Sequence, residues 1–461
     1  MGEVTFGTDG WRAQLEEFTD ERLRMVGQGI ADHLSASGQE GAIAVGYDPR
    51  SSSEGFAESL GAVFSRNGHD VVLPERDCPT PVVAHAVVER GLAGACMITA
   101  SHNPPGYNGV KFIPADGAPA LPDVTDDIES RLKPPLEATD SSGDTDEAGS
   151  LHRVNLRSAH ADAVRKLVNP DLSGMTVVYD AMHGAGRGVT DRLLERCGAE
   201  VITRRCSRDP EFGGAAPEPN PDTLDGLVEA VRDHDATLGI ANDGDADRVA
   251  VCTPEGYLDE NLLFATLYEG LLEEESGTAV RSVSTTFLVD EVANARGGDV
   301  FEVPVGFKWV ADAMDEQDAL IGGEESGGFS IRGHVREKDG VLAGLLAASL
   351  ASDEPFEARV QRLFESHGPI HTDRISVDCP DDRKQSVIET LTDQLPETVD
   401  GREVVDISSL DGVKLFLADG SWLLIRPSGT EPKLRVYAES SSEQHVSDLL
   451  TAGRELLGGV I

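Results

Sequence analysis

Three aspartates at alternate positions, Asp243, Asp245 and Asp247, stand in the run Asp243-Gly-Asp-Ala-Asp-Arg248, just after an apolar stretch that reads as a strand. Carboxylates at alternate positions of an extended chain point to one side, and three so close repel one another unless a cation sits among them. Magnesium suits such a set best, because it takes few carboxylates together with phosphate oxygens. A calcium loop of the EF-hand type needs Gly where Arg248 stands and Glu where Pro254 stands. A solvated acidic turn is the structural alternative.

A second candidate is Thr99-Ala-Ser-His-Asn-Pro104, again directly after an apolar strand. Ligands collect at the carboxyl ends of strands in open α/β sheets, so Ser101 is placed as a nucleophile with His102 beside it to orient it. The same pair would also serve in an ordinary hydrogen-bonded turn. Arg426-Pro-Ser-Gly-Thr-Glu431 combines a guanidinium, two hydroxyls and a glycine, a composition suited to phosphate, with Arg435 close by. Gly323-Glu-Glu-Ser-Gly-Gly328 offers Glu324 and Ser326 to sugar hydroxyls, although a glycine-rich turn reads the same way. Phe6–Arg12 and Tyr47–Arg50 each set an arginine beside turn formers and are not diagnostic. Neither G-x-G-x-x-G nor a Walker-type phosphate loop occurs.

Elements must carry these loops. Helical periodicity over 18–37, a buried strand over 41–47, a helix over 52–67, a strand at 71–73, a helix over 81–90 and a strand over 94–98 give βα alternation around a largely parallel sheet. Pro134–Ser150, rich in Pro, Ser, Gly, Asp and Glu, reads as an exposed connection. Alternation restarts at 177–179 and again with a helix over 261–272, and this third run closes on the apolar helix 341–352. Beyond about 367 short strands with two helices suggest a smaller unit. The expected fold is three α/β domains (1–150, 151–255 and 256–367) followed by an α+β domain (368–461).

Bulk properties narrow the class further. A chain of 461 residues exceeds one hydrophobic core, and a formal net charge of −43 opposes nucleic acid and anionic membranes as partners. No apolar run is long enough to span a bilayer and no secretory signal is apparent, so a cytoplasmic location is expected. The six cysteines lack zinc or disulfide spacing. Acid spread along the whole chain, with only eight lysines, suggests a protein built for high salt, from a halophile. Four of those lysines, Lys111, Lys308, Lys414 and Lys433, lie in or beside candidate loops, where an ammonium group can titrate or contact phosphate.

In this order, Thr99–Pro104, Asp243–Arg248, Gly323–Gly328 and Arg426–Thr430 resemble the motifs of the α-D-phosphohexomutase family over essentially the whole chain. The resemblance implies four domains around a central cleft: phosphoserine, magnesium-binding, sugar-binding and phosphate-binding in turn. It implies that Ser101 is the phosphoserine and that its phosphate, Asp243, Asp245 and Asp247 hold one Mg²⁺. Arg12, His102, Lys111 and Arg248 would surround the transferring group, and Lys308 would do acid–base work. Glu324 and Ser326 would grip the sugar; Arg426, Ser428, Gly429 and Thr430, with Arg435 nearby, would bind the phosphate that is not transferred. The activity implied interconverts hexose 1-phosphate and hexose 6-phosphate, with hexose 1,6-bisphosphate as intermediate and activator. The substrate is a sugar phosphate and the assembly a monomer or homodimer.

One departure is informative. Gly328 stands where some members of the family carry histidine, which moves acid–base work toward Lys308 and Lys111. The Glu-Glu-Ser-Gly-Gly form leans toward glucose or mannose phosphates over glucosamine phosphate. A phosphosugar phosphatase would need no remote phosphate loop, and a binding protein would not need Ser101 with an intact aspartate trio.

Overall fold

A computed structural model describes residues 4–7, 9–134, 148–429 and 431–459. Most of the expected connection between 134 and 150 lies outside them, as does Thr430. The described residues build four sheets in sequence, three mixed and one antiparallel.

The first sheet runs in the order Trp11–Gln14, Tyr107–Pro114, Gly94–Ile98, Ile43–Tyr47, Val71–Pro74 and Leu151–Val154. Its central strands are parallel and apolar because both faces are covered. Ile43, Val45 and Tyr47 enter the core packed with helices Asp20–Ala36 and Ser53–Arg66. Ala44, Ala95 and Met97 face Val82, Val83 and Val87 of helix Thr80–Arg90 on the other side. Leu151–Val154 pairs in parallel with Val71–Pro74, so the chain leaves this sheet only after Val154 rather than at the expected 150.

The second sheet is ordered Gly256–Leu258, Val249–Thr253, Leu238–Asn242, Thr176–Asp180 and Glu200–Arg204; the third is ordered Val300–Val303, Ala279–Ser282, Ile321–Gly323 and Phe329–Ile331. One core serves both. Helix Gly340–Asp353 is apolar all round because it packs on Leu238–Asn242 and Val249–Thr253 as well as on helices Arg157–Val168 and Glu260–Glu274. Asp339 caps it, accepting from the Val341 and Leu342 amides at 2.9 and 2.8 Å. Its second oxygen lies 2.6 Å from His160 Nε2 and 3.0 Å from His334 Nε2, which fixes the segment just before the helix.

The fourth sheet is ordered His371–Asp378, Lys433–Ser440, Trp422–Pro427, Val413–Leu417, Arg402–Ser408 and Thr398–Val399, with helices Asp381–Asp393 and Glu443–Gly458 on its core. The α/β character of the first three units and the α+β character of the last are as expected. No helix among the described residues is long and apolar enough to cross a membrane.

Candidate active site

Ser101 sits in the turn after strand Gly94–Ile98 with a φ of 50°, a left-handed conformation that costs a serine energy and needs outside support. Thr99 supplies part of it: its Oγ1 accepts from the Ser101 amide and donates to Asp48, both at 2.8 Å. Arg50 supplies the rest. This buried guanidinium donates to the carbonyls of Ser101, Asn103, Pro104 and Tyr107 at 2.7–3.1 Å, while Asp48 accepts from its Nε at 2.9 Å. The Tyr47–Arg50 segment, undiagnostic in sequence, is thus the brace of the serine loop.

The aspartates occupy the tight connection between strands Leu238–Asn242 and Val249–Thr253, and all three are fully buried. Ser101 Oγ donates to Asp243 Oδ2 at 2.8 Å, with His102 Nδ1 3.3 Å from the same hydroxyl. The two loops touch through backbone as well: a Cβ on Gly244 would stand 2.5 Å from the Ser101 carbonyl oxygen. Thr80, opening its helix, binds Asp245 twice, Oγ1 to Oδ2 at 2.6 Å and amide to carbonyl at 2.9 Å. The first and second units therefore meet at this point.

Cations surround the trio. Lys111, on strand Tyr107–Pro114, places Nζ 2.8 Å from Asp247, 2.9 Å from Asp9 and 3.1 Å from Asp245. Burial opposes its charge, but the three carboxylates outweigh burial and raise its pKa well above the usual lysine value. Arg12 Nη2 pairs with Asp9 at 2.8 Å and keeps its buried Nε unpartnered. Arg248 donates its amide to Asp243 at 3.2 Å, and its side-chain Nε is likewise buried without a partner. The charge of Arg248, followed by burial and Arg12, pushes His102 down to about 2, so its imidazole is neutral at any working pH.

Arg248 pairs its backbone with Gly328, which joins the aspartate loop to the hairpin carrying Glu324 and Ser326. Glu324 Oε1 accepts from the Gly306 amide at 2.9 Å, and burial followed by Glu325 raises its pKa to about 7. Ser326 is half-buried in the same turn. Lys308 lies in the first turn of helix Phe307–Gln317, half-buried, its ammonium disfavoured by burial.

Arg426 and Arg435 stand directly opposite one another on antiparallel strands. Like charges so placed repel, and an anion between or above them relieves that repulsion. Arg426 Nε is held by Asp411 at 2.8 Å and Arg435 Nη2 by Glu431 at 3.1 Å. Ser428 is buried and Gly429 exposed; the Ser428 carbonyl accepts from Lys384 Nζ at 2.7 Å. Thr430 lies outside the described residues.

Several groups of the cluster lie outside the motifs. Lys338 projects into the same cluster, 3.3 Å from Asp247 and 3.5 Å from Asp9, with Glu337 beside it. It also accounts for Gly328, where a Cβ would stand 2.5 Å from Lys338 Cδ. In a chain with eight lysines, Lys338 and Lys384 carried the same signal of scarcity as Lys111. Asp9 carried no signal of its own.

The donor set fits a hard divalent cation. The three carboxylates offer oxygens within 4.8 Å of one another, and Asp245 Oδ1 and Asp247 Oδ1 are buried with no hydrogen-bond partner. Burial and its two neighbours raise Asp243 well above the carboxylate range, the mark of crowded negative charge seeking a cation.

Comparisons with known proteins agree with this geometry. Family models described as phosphoglucomutase/phosphomannomutase match throughout: alpha/beta/alpha domain I at residues 3–138, domain II at 158–256, domain III at 259–367 and the C-terminal domain at 375–455. A probable phosphoglucosamine mutase of Methanopyrus kandleri is 34% identical over 453 residues, 97% of this chain and 96% of that protein. A phosphoglucomutase/phosphomannomutase of Thermococcus kodakarensis is 30% identical over 466 residues, 99% of each. The crystal structure of a phosphoglucomutase/phosphomannomutase family protein from Burkholderia thailandensis shares the fold with a TM-score of 0.84 at 21% identity, covering 100% of this chain and 98% of that one. The chain belongs to the phosphoglucomutase/phosphomannomutase family, whose members are phosphosugar mutases.

Proposed function

We propose that this enzyme interconverts hexose 1-phosphate and hexose 6-phosphate through a phosphorylated Ser101, with glucose and mannose phosphates favoured. The observation that carries the reading is the hydrogen bond of Ser101 Oγ to Asp243 inside a buried trio of aspartates ringed by Arg12, Lys111, Arg248 and Lys338. Phosphoryl transfer needs in-line positioning and charge neutralisation, and this arrangement offers both.

Phosphoserine 101 donates its phosphoryl group to the free hydroxyl of the sugar, giving hexose 1,6-bisphosphate; the other phosphate then returns to Ser101. Arg12 and Arg248 stabilise charge on the transferring group through the guanidinium nitrogens that lack partners. Asp243, Asp245 and Asp247 would hold one Mg²⁺, which when bound neutralises phosphate oxygens. Lys308 suits proton exchange with the sugar hydroxyl, because burial weakens its hold on a proton; Lys111, tied to three carboxylates, supplies charge. Glu324 and Ser326 orient the sugar, and Arg426, Ser428, Gly429, Thr430 and Arg435 seat the distal phosphate. Hexose bisphosphate acts as activator by restoring phosphoserine.

A second reading, glucosamine phosphate as substrate, is favoured by the names of several relatives at up to 34% identity and by Glu325. That carboxylate adjoins Glu324 and accepts from Ser282 Oγ at 3.2 Å, a suitable partner for a sugar ammonium. The test is a side-by-side assay of glucose, mannose and glucosamine 1-phosphates with Mg²⁺ and a trace of the matching bisphosphate. Isomerised product without free phosphate supports the mutase; release of inorganic phosphate from all three would overturn it. Preference for glucosamine phosphate would select the second reading.

A further inference from the structure

The segment Asp411-Gly-Val-Lys414 belongs to none of the loops assigned above, yet it docks the fourth sheet onto the third at two points. Lys414 is buried, donates to Glu302 and to the Val283 carbonyl, both at 2.7 Å, and lies against the rings of Phe287, Phe416 and Trp422. That contact is an anchor. Asp411 makes a different one: a single oxygen, Oδ2, accepts from Arg426 Nε at 2.8 Å and from the Val305 amide at 3.1 Å.

The neighbouring amide matters. Gly306, next in the chain, donates to Glu324 Oε1 at 2.9 Å, and the helix carrying Lys308 starts at Phe307. Two consecutive amides are thus fixed by two carboxylates, one from the hairpin that faces the sugar and one from the unit that carries Arg426. Asp411 also occupies the Nε of Arg426, which fixes one donor of a guanidinium whose fork can take a bidentate anion.

We propose that Asp411 is a positioning residue that couples the phosphate-binding arginine to the sugar-binding carboxylate through the two successive amides of Val305 and Gly306. Seating of the distal phosphate on Arg426 fixes Asp411, Asp411 fixes the Val305 amide, and the Gly306 amide next to it fixes Glu324. The proposal rests on the reading of Arg426 as phosphate ligand and Glu324 as sugar ligand.

The experiment is a set of double-mutant cycles on the full-length enzyme with glucose 1-phosphate, Mg²⁺ and a trace of glucose 1,6-bisphosphate, with thermal unfolding followed for each variant. Asp411→Ala is expected to raise KM about tenfold or more, the scale of a hydrogen bond to a charged group. In the Arg426→Ala background the same change is expected to add almost nothing, and the loss caused by Glu324→Gln is expected to shrink once Asp411 is gone. Asp411→Asn, which keeps the shape and one acceptor, is expected to fall between wild type and Asp411→Ala, and it serves the cycle alone should the alanine variant not fold. Independent, multiplicative losses, or an unchanged KM with a lowered unfolding temperature, would overturn the coupling and leave Asp411 a structural contact. An unchanged KM in Arg426→Ala would instead remove the reading of the phosphate loop, and this proposal with it.

Discussion

Ser101 contributes one hydroxyl to a loop whose shape is set by other residues, chiefly Arg50 and Thr99. Ser101→Ala should therefore cut turnover by about a thousandfold or more while the fold survives, checked by coupled assay and circular dichroism. Glu324 makes a separate prediction. Its pKa is raised to about 7, so an acceptor carboxylate forms only as the pH climbs through that value. KM for the sugar phosphate should fall as pH rises from about 6 to about 8, and Glu324→Gln should flatten that limb. Ser101, the aspartate trio and Arg426 were legible because their neighbours in sequence are their neighbours in the site. Asp9 and Lys338 were not, since each is an ordinary charged residue that acquires its place from partners far away in the sequence, Lys111 and Lys338 for Asp9, Asp9 and Asp247 for Lys338.

Elements were legible where their burial is simple. Strands such as Ile43–Tyr47 and Gly94–Ile98, covered on both faces, show as apolar runs. The helix now seen at Gly340–Asp353 announced itself in the same way. Leu151–Val154 did not, because this sheet-edge strand is mostly exposed and carries no apolar pattern. Tyr107–Pro114 is also obscured, since Asn108, Gly109 and Lys111 interrupt its hydrophobic sequence, the last to reach the aspartates. Gly244→Ala puts a methyl against the Ser101 carbonyl, so the serine and aspartate loops must part; kcat should drop at least about tenfold and stability by about 1–3 kcal/mol, measured by kinetics and denaturant unfolding.

For the whole molecule the dominant quantity is the net charge of −43. Mutual repulsion destabilises the compact state and salt screens it, so the unfolding temperature should climb as KCl is raised from about 0.1 M to about 1 M. Magnesium should add a specific increment on top: at fixed high salt, Mg²⁺ raises the unfolding temperature of wild type, and Asp245→Asn with Asp247→Asn abolishes the increment. A salt response without a magnesium response would separate general screening from an occupied site. The order of the four units was readable from texture and motifs. The fusion of the second and third around one shared helix was not, because an apolar helix does not say which sheet it will join.

The grip of Arg50 on four carbonyls between Ser101 and Tyr107 carries a final consequence. In the proposed cycle a nucleophile moored this firmly cannot follow its partner, so all the travel would fall to the ligand. The seat for the distal phosphate must therefore let go between the two half-reactions. Affinity there has a useful ceiling: a tighter seat would stall the bisphosphate midway and turn a catalyst into a reservoir for its own intermediate.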